Sequence, residues 1–288
     1  MHKVSRVSSL RAAVTSARKD KKTIGFVPTM GNLHAGHLKL VEIAKRQTDF
    51  VVVSIYVNPT QFGAHEDLSN YPSTPEEDAR LLAEEGADLL FLPEQETMYP
   101  GELDMQTVVY VPKIGDLYCG KDRPEHFYGV TTVVSRLFNM VQPDVAVFGK
   151  KDYQQLAIIR RMVEDLAYPV QVVGVDTVRA ESGLALSSRN GYLNASQLDS
   201  AAQLQKTLQW IASELKQDAA VKSKKAAKEI EDSAKVKLKK LGFKPQYVTI
   251  CRQSDLLPVK KGDQKLVILA AAHVGKARLI DNLEVELG

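Results

Sequence analysis

The chain has 288 residues, 44% of them apolar and 25% charged, with a net charge of +3. That length and balance describe a globular protein able to bury a full core, in two domains or in one with an appendage. So small a positive excess does not point to nucleic acid, and no apolar run approaches the roughly 20 residues needed to span a bilayer.

Residues 1–6 lack the apolar segment of a secretory signal, and Cys119 and Cys251 fit no metal-ligand spacing. Two reduced thiols in a cytoplasmic protein, with no membrane partner, are expected. In chain order, a strand-like run at 23–27 leads through the turn 28–37 (Pro-Thr-Met-Gly-Asn-Leu-His-Ala-Gly-His) into a helix-like run at 38–44. Residues 50–57 are the clearest buried strand, because continuous β-branched and apolar character implies cover on both faces, as in a parallel sheet. A helix over 76–85, after Pro75 and closed by Gly86, is followed by a short strand at 88–92. A helix at 131–141, a strand at 145–148, a helix at 153–166 and a strand at 170–175 continue the alternation. This spacing predicts a doubly wound, Rossmann-like α/β domain with a parallel sheet over residues 1–176.

The pattern then changes. Ala201, Leu204, Leu208, Ile211 and Leu215 mark one face of an amphipathic helix, and Ala227, Ile230, Ala234, Leu238 and Leu241 mark a second. Strand candidates follow at 247–251, 266–271 and 277–283, so a smaller α+β domain, able to act as a lid, is expected over 177–288. Lys222, Lys224, Lys225, Lys228, Lys235, Lys237, Lys239 and Lys240 crowd the second helix. Glu229, Glu231 and Asp232 interrupt them and no aromatic platform is interleaved, so a solvated polar face is expected and not a nucleic-acid surface.

Four clusters carry chemistry. In the turn at 28–37, Gly31 and Gly36 let the backbone approach an anion, and a helix N-terminus supplies unpaired N–H groups and a positive dipole end. His34 and His37, one helical turn apart, can face that anion together. Asn58 and Gln61, at the end of the strongest strand, are neutral amides suited to hydroxyl and carboxylate groups of a small ligand. Gly149, Lys150, Lys151, Asp152 and Gln155 stand where another strand enters a helix, with positive charge for phosphate and an acid for capping or ligand binding. Ser187, Ser188 and Arg189 lie on a loop that could close over phosphates. Each cluster alone reads equally as a turn or capped loop. Their co-occurrence is what counts, since three follow a predicted strand and open α/β sheets bind ligands at the carboxyl ends of their strands.

These segments resemble the pantothenate synthetase (pantoate–β-alanine ligase) family of the His-x-Gly-His nucleotidylyltransferase-like superfamily. The matching stretches are Pro28-Thr29-Met30-Gly31 with His34 and His37, Val57-Asn58-Pro59 with Gln61-Phe62-Gly63, and Glu66-Asp67-Leu68 with Tyr71-Pro72. Met98-Tyr99-Pro100, Arg123-Pro124 with His126-Phe127 and Gly129-Val130, and Gly149 with Lys151-Asp152 and Gln154-Gln155-Leu156 come next. Ser187-Ser188-Arg189-Asn190 and Val274-Gly275-Lys276 with Arg278-Leu279-Ile280-Asp281-Asn282 complete a series that covers nearly the whole chain.

The resemblance implies ATP-dependent condensation of pantoate with β-alanine through a pantoyl adenylate, releasing pyrophosphate and AMP, by a homodimer. It implies an ATP site lined by Met30, Gly31, Asn32, Leu33, His34, Ala35, Gly36 and His37, with Gly149, Lys150, Lys151, Asp152, Val178, Leu186, Ser187, Ser188 and Arg189. His37, His34, Lys151 and Arg189 would act on the reacting groups. Gln61 and Gln155 would hold pantoate, and Gln61 would also lie near β-alanine. Mg²⁺ would neutralise the polyphosphate. Glu77 and Asp78 match an acidic region linked to that metal, although exposed carboxylates at a helix start are equally explained by the dipole. A helix N-terminus disfavours imidazolium whereas a bound triphosphate favours it, and phosphate contact is expected to protonate at least one of the two histidines. Lys150, Leu186 and Thr60 depart from the commoner family residues without removing a group the reaction needs. A nucleotidylyltransferase would share the histidines but has no use for Gln61 and Gln155. An aminoacyl-tRNA synthetase would require an anticodon-binding domain, and an RNA-binding module would rest on the lysine-rich helix alone.

Overall fold

The computed structural model describes residues 1–63, 66–217 and 224–287. The chain divides into two units, one of Met1–Lys150 with Gln155–Asp176 and one of Lys151–Gln154 with Thr177–Gly288.

The strands of the first unit are β1 (His2–Val4), β2 (Ile24–Thr29), β3 (Phe50–Ile55), β4 (Leu89–Phe91), β5 (Val145–Gly149) and β6 (Gln171–Val175). They form one sheet in the order β1-β4-β3-β2-β5-β6, parallel throughout. Its helices are α1 (Val7–Lys19), α2 (Ala35–Gln47), α3 (Pro75–Glu84), α4 (Gln95–Met98), α5 (Cys119–Asp122), α6 (His126–Val141) and the greater part of α7 (Tyr153–Asp165). Val51, Val52 and Val53 are all buried, as their apolar run requires of a strand covered on both faces. On one face Val27, Val51, Val53 and Leu90 pack with Val41 and Ala44 of α2 and Leu82 of α3. On the other, Phe26 meets Phe138 of α6 edge to face at 6.4 Å.

Several elements escape the sequence pattern, among them the whole of α1, strand β1 and the first turns of α6. Strand β1 has three residues and gains its place only by pairing with β4 at the sheet edge. Helix α6 begins at His126 and not at 131, because its first turns pack against the segment following β3, a contact that outweighs the low helix propensity of Gly129 and Thr131.

The second unit holds α8 (Ala195–Ala201), α9 (Gln203–Gln217), α10 (Lys224–Lys240) and the strands β7 (Lys244–Arg252), β8 (Lys265–Val274) and β9 (Ala277–Glu286). The strands form an antiparallel sheet, β7-β8-β9. Leu204, Leu208, Ile211, Leu215, Ala227, Ala234 and Leu238 close its core with Val248, Ile250 and Ile268. Leu241 is a correction: it lies past the end of α10 and is exposed, whereas Phe243 is buried. On the polar face of α10, Lys228 pairs with Asp232 at 2.7 Å and Lys237 lies 4.8 Å over the Trp210 ring. Lys222 lies outside the described residues. Glu231 turns inward and accepts from Ile250 N at 2.8 Å, and burial pushes its carboxyl above the usual range.

Cys119 and Cys251 are both buried thiols that form no disulfide. Among the described residues no helix is long and apolar enough to cross a membrane.

Candidate active site

The sheet order sets the site. From β2 the chain winds outward through β3 and β4, then crosses back to β5 on the other side of β2. The order therefore reverses between β2 and β5, and the carboxyl ends of these strands open a crevice of the kind that binds nucleotides. The His-x-Gly-His turn follows β2, the Asn58–Gln61 segment follows β3, and Gly149 ends β5.

After β2 the backbone turns through two consecutive left-handed residues, Gly31 at φ 82° and Asn32 at φ 51°. A side chain at Gly31 would also meet Asp78 Oδ2 at 3.0 Å, so the first of these positions requires glycine. His34 caps α2. Its Nδ1 accepts from Gly36 N at 3.1 Å, and His37 Nδ1 accepts from His34 N at 3.3 Å. These bonds assign the tautomers, because a nitrogen that accepts from a backbone N–H carries no proton. Both neutral rings therefore keep their proton on Nε2. The rings lie 4.1 Å apart, tilted by 39°. The pair presents imidazole donors at a helix N-terminus, a combination suited to phosphate.

Asp78 is a correction to the sequence reading, which takes it as exposed. It lies in the first turn of α3 at 1% exposure. Its Oδ2 accepts from Asn32 N at 2.8 Å, and its Oδ1 from Leu33 N at 2.8 Å and Thr74 Oγ1 at 3.0 Å. Glu77 instead faces solvent and pairs with Arg80 through two bonds of 2.8 and 2.6 Å. With one carboxylate turned in and satisfied and the other turned out and paired, the two do not fit direct ligation of one metal ion. Among the described residues no three His, Cys, Asp or Glu side chains group as a metal site.

Gln61 is held from three sides. Asn58, fully buried, donates Nδ2 to Gln61 Oε1 at 3.0 Å and to Gly129 O at 3.1 Å. Its Oδ1 accepts from the Thr60 N–H at 3.4 Å and from Tyr99 OH at 3.0 Å. Because Gly129 O can only accept and Thr60 N can only donate, the orientation of Asn58 is settled, and with it that of Gln61. Gln61 therefore offers its Nε2 N–H groups, a geometry that favours carboxylate or hydroxyl oxygen as partner. Its main-chain carbonyl accepts from Arg123 Nη2 at 3.1 Å and lies 2.8 Å from His126 Nδ1. Arg123 in turn grips Glu66 through two bonds of 2.5 Å. Residues 123, 126, 99 and 66 enter the sequence reading only as matching segments. No local pattern signals that they converge on Gln61, since the chain brings them from 62, 65, 38 and 5 residues away.

At the end of β5, Lys150 pairs with Asp176 at 2.8 Å. Gln155 follows in α7, half-buried. In the second unit, the Lys151 carbonyl accepts from Asn282 Nδ2 at 2.9 Å and Tyr153 OH donates to Glu284 at 2.9 Å, while Asp152 is exposed. Val178 and Leu186 face each other at the base of a short hairpin, joined by Leu186 N to Val178 O at 3.0 Å. Arg179 of that hairpin makes a two-pronged ion pair with buried Asp281, both bonds 2.8 Å, a feature the sequence reading missed. Ser187 caps the turn Ser188–Tyr192 by accepting from Arg189 N at 3.2 Å.

A family model described as pantoate-beta-alanine ligase matches residues 2–284. The chain belongs to that family. It is 52% identical to a pantothenate synthetase of Shewanella halifaxensis over 98% of this chain and 97% of that one. It is 53% identical to that of Ectopseudomonas mendocina over 100% and 99%. Among solved structures, a pantothenate synthetase from Thermus thermophilus superposes with a TM-score of 0.90 at 45% identity, covering 99% of this chain and 100% of that one. A Francisella tularensis pantoate-beta-alanine ligase, solved as a complex with beta-gamma ATP and beta-alanine, gives 0.78 at 33% identity over 98% and 97%. The pantoate-beta-alanine ligase fold thus spans both units, the Rossmann-like sheet and the smaller antiparallel one.

Proposed function

We infer that this chain joins pantoate to β-alanine in two steps on one enzyme. ATP-dependent condensation of these substrates is the family's function. In the first step a pantoate carboxylate oxygen attacks the α-phosphorus of ATP; the bond to pyrophosphate breaks and pantoyl adenylate forms. In the second, the neutral amine of β-alanine attacks the acyl carbon; the bond to AMP breaks and the amine gives up a proton. A carboxylate cannot expel oxide, so the adenylate supplies the leaving group, and the protein contributes positioning and charge stabilisation.

The observation that carries this reading is the donor geometry after β2 and β3. Two imidazole Nε2–H groups suit a polyphosphate, and the locked amide of Gln61 suits a carboxylate or hydroxyl oxygen. His34 and His37 are accordingly assigned to the phosphates, and Met30 to Gly36 to the wall of the ATP site. Gln61 is assigned to pantoate and the β-alanine position, and Gln155 to pantoate. Gly149, Lys151, Asp152, Val178, Leu186, Ser187, Ser188 and Arg189 are assigned to nucleotide by resemblance. Lys150 shares that assignment with its ion pair to Asp176 as a competing role. Mg²⁺ enters as the counter-ion of ATP. A cytoplasmic homodimer is proposed on the resemblance.

Pyrophosphate release and ATP–pyrophosphate exchange in single-omission mixtures test the reading. Exchange that needs pantoate but not β-alanine, with AMP and pantothenate formed when both are present, is expected. Exchange driven by another acceptor would overturn the substrate assignment.

A further inference from the structure

We propose that Asp78 is a positioning residue that holds the turn before α2 in its nucleotide-binding shape, and that it does so without ligating metal. The proposal rests on the reading of that turn as the ATP site.

Three observations converge. The carboxylate is buried, and its three bonds come from the backbone N–H groups of Asn32 and Leu33 and from the hydroxyl of Thr74. A buried carboxylate is retained only where such donors replace its water, and hydrogen bonds to an ion are stronger than neutral ones. The turn it grips has an unfavourable backbone, with Asn32 left-handed directly after left-handed Gly31. Asp78 offsets that conformation by accepting from both N–H groups that the turn directs toward it. Finally, Glu77 points the other way, to Arg80, so the neighbouring carboxylates cannot converge on a cation.

The consequence concerns phosphate recognition. Because the N–H groups of Asn32 and Leu33 are turned toward Asp78, they do not serve the ligand, and the imidazoles of His34 and His37 are the side chains this turn offers to phosphate. The placement of those rings depends on where the turn delivers the helix start. Asp78 therefore acts on nucleotide affinity through its grip on residues 32 and 33.

Replacing the carboxylate by an amide of equal size exposes this. In Asp78→Asn one oxygen remains to accept, while the amide NH₂ meets a backbone N–H, of Asn32 or of Leu33, in either orientation. Only one of the two backbone bonds survives. ATP is titrated calorimetrically into wild type and variant, once with Mg²⁺ and once with EDTA, alongside thermal melts and steady-state kinetics. Asp78→Asn is expected to weaken ATP by at least ~10-fold in both conditions, the size set by losing a charge-assisted bond and leaving a donor unpaired. KM for ATP rises while KM for β-alanine holds. Thr74→Val, which deletes only the hydroxyl donor, is expected to lower ATP affinity in the same sense by a few-fold. It serves as the test should Asp78→Asn fail to fold. A loss confined to the Mg²⁺ titration would overturn the proposal in favour of a metal ligand. Unchanged ATP affinity in a folded variant with a lowered melting temperature would overturn it in favour of a purely structural role. Wild type that binds no ATP at all would overturn the nucleotide reading itself and the proposal with it.

Discussion

His37 reaches back one turn to accept the backbone N–H of His34 at 3.3 Å, so the second histidine of the motif anchors the first. The imidazole occupies the place that Glu or Gln takes in a capping box, three residues after the cap. It has two separable duties, an Nδ1 acceptor for the helix and an Nε2 donor for the ligand. Gln at this position can keep the acceptor and lose the ring. His37→Gln is therefore expected to retain stability to within ~0.5 kcal/mol while pantoate-dependent exchange falls by ~100-fold or more. His37→Ala should lose both, with ~1 kcal/mol of stability gone. Chemical unfolding beside exchange assays separates the two effects.

The same bonds bear on protonation. An imidazolium carries hydrogen on both nitrogens, so protonating either ring sets a donor against a backbone N–H and breaks a cap. With the ligand absent, both rings are best satisfied neutral. Proton uptake on binding ATP, read as a buffer-dependent calorimetric enthalpy, is expected if phosphate contact reverses that preference, and it should vanish in the His34→Ala, His37→Ala double variant.

Asn58 fixes the amide of Gln61, and Asn58→Ala leaves Gln61 Oε1 without this donor, while Gly129 O loses its second bond but stays within the helical ladder of α6. A buried acceptor left unpaired costs ~1–3 kcal/mol. A rise in KM for pantoate is expected, with KM for ATP held, because Gln61 loses its single orientation. Equal rises in both would show that Asn58 supports the whole site and not Gln61 specifically.

Gly129 sits inside α6 where alanine would ordinarily stabilise a helix by up to ~1 kcal/mol. Here an added Cβ would lie 2.2 Å from Thr60 O and 2.8 Å from Gln61 N, both main-chain atoms that cannot swing away. Overpacking at that distance outweighs propensity. Gly129→Ala is expected to cost ~3 kcal/mol or to displace Gln61, seen as a lowered melting temperature with impaired use of pantoate.

Burial of the Glu66 carboxyl works to raise its pKa, but its bonds to Arg123, with the charges of Arg123 and His126, hold it below its ordinary 4.5. The folded value being the lower, Glu66 stabilises the fold fully above the unfolded value near 4.5, and that contribution is lost as pH falls through the folded value. Glu66→Gln should flatten the stability profile below that pH and leave its slope between pH ~6 and ~8 unchanged. Urea titrations at stepped pH measure both.

The alternation of β-branched runs with amphipathic runs was enough to determine the doubly wound architecture, since a strand like residues 50–55 has to be covered on both faces wherever it lies. The His-x-Gly-His turn was legible for a similar reason: glycines, histidines and a helix start are adjacent in the chain and interact locally. Strand β1 was not legible, because three residues acquire strand conformation only from pairing with β4. Nor was the role of Asp78. Its position at a helix start reads as a dipole partner, and only the packing of α3 beside the turn buries it against residues 32 and 33. The shell around Asn58 and Gln61 is likewise a product of tertiary structure, because Tyr99 and Gly129 bond Asn58, and Arg123 and His126 bond Gln61, from distant elements. Local sequence determines what each segment can form and which side chains it offers. Which buried donor meets which acceptor is decided only when the layers close and water leaves, for then every polar group must find a partner.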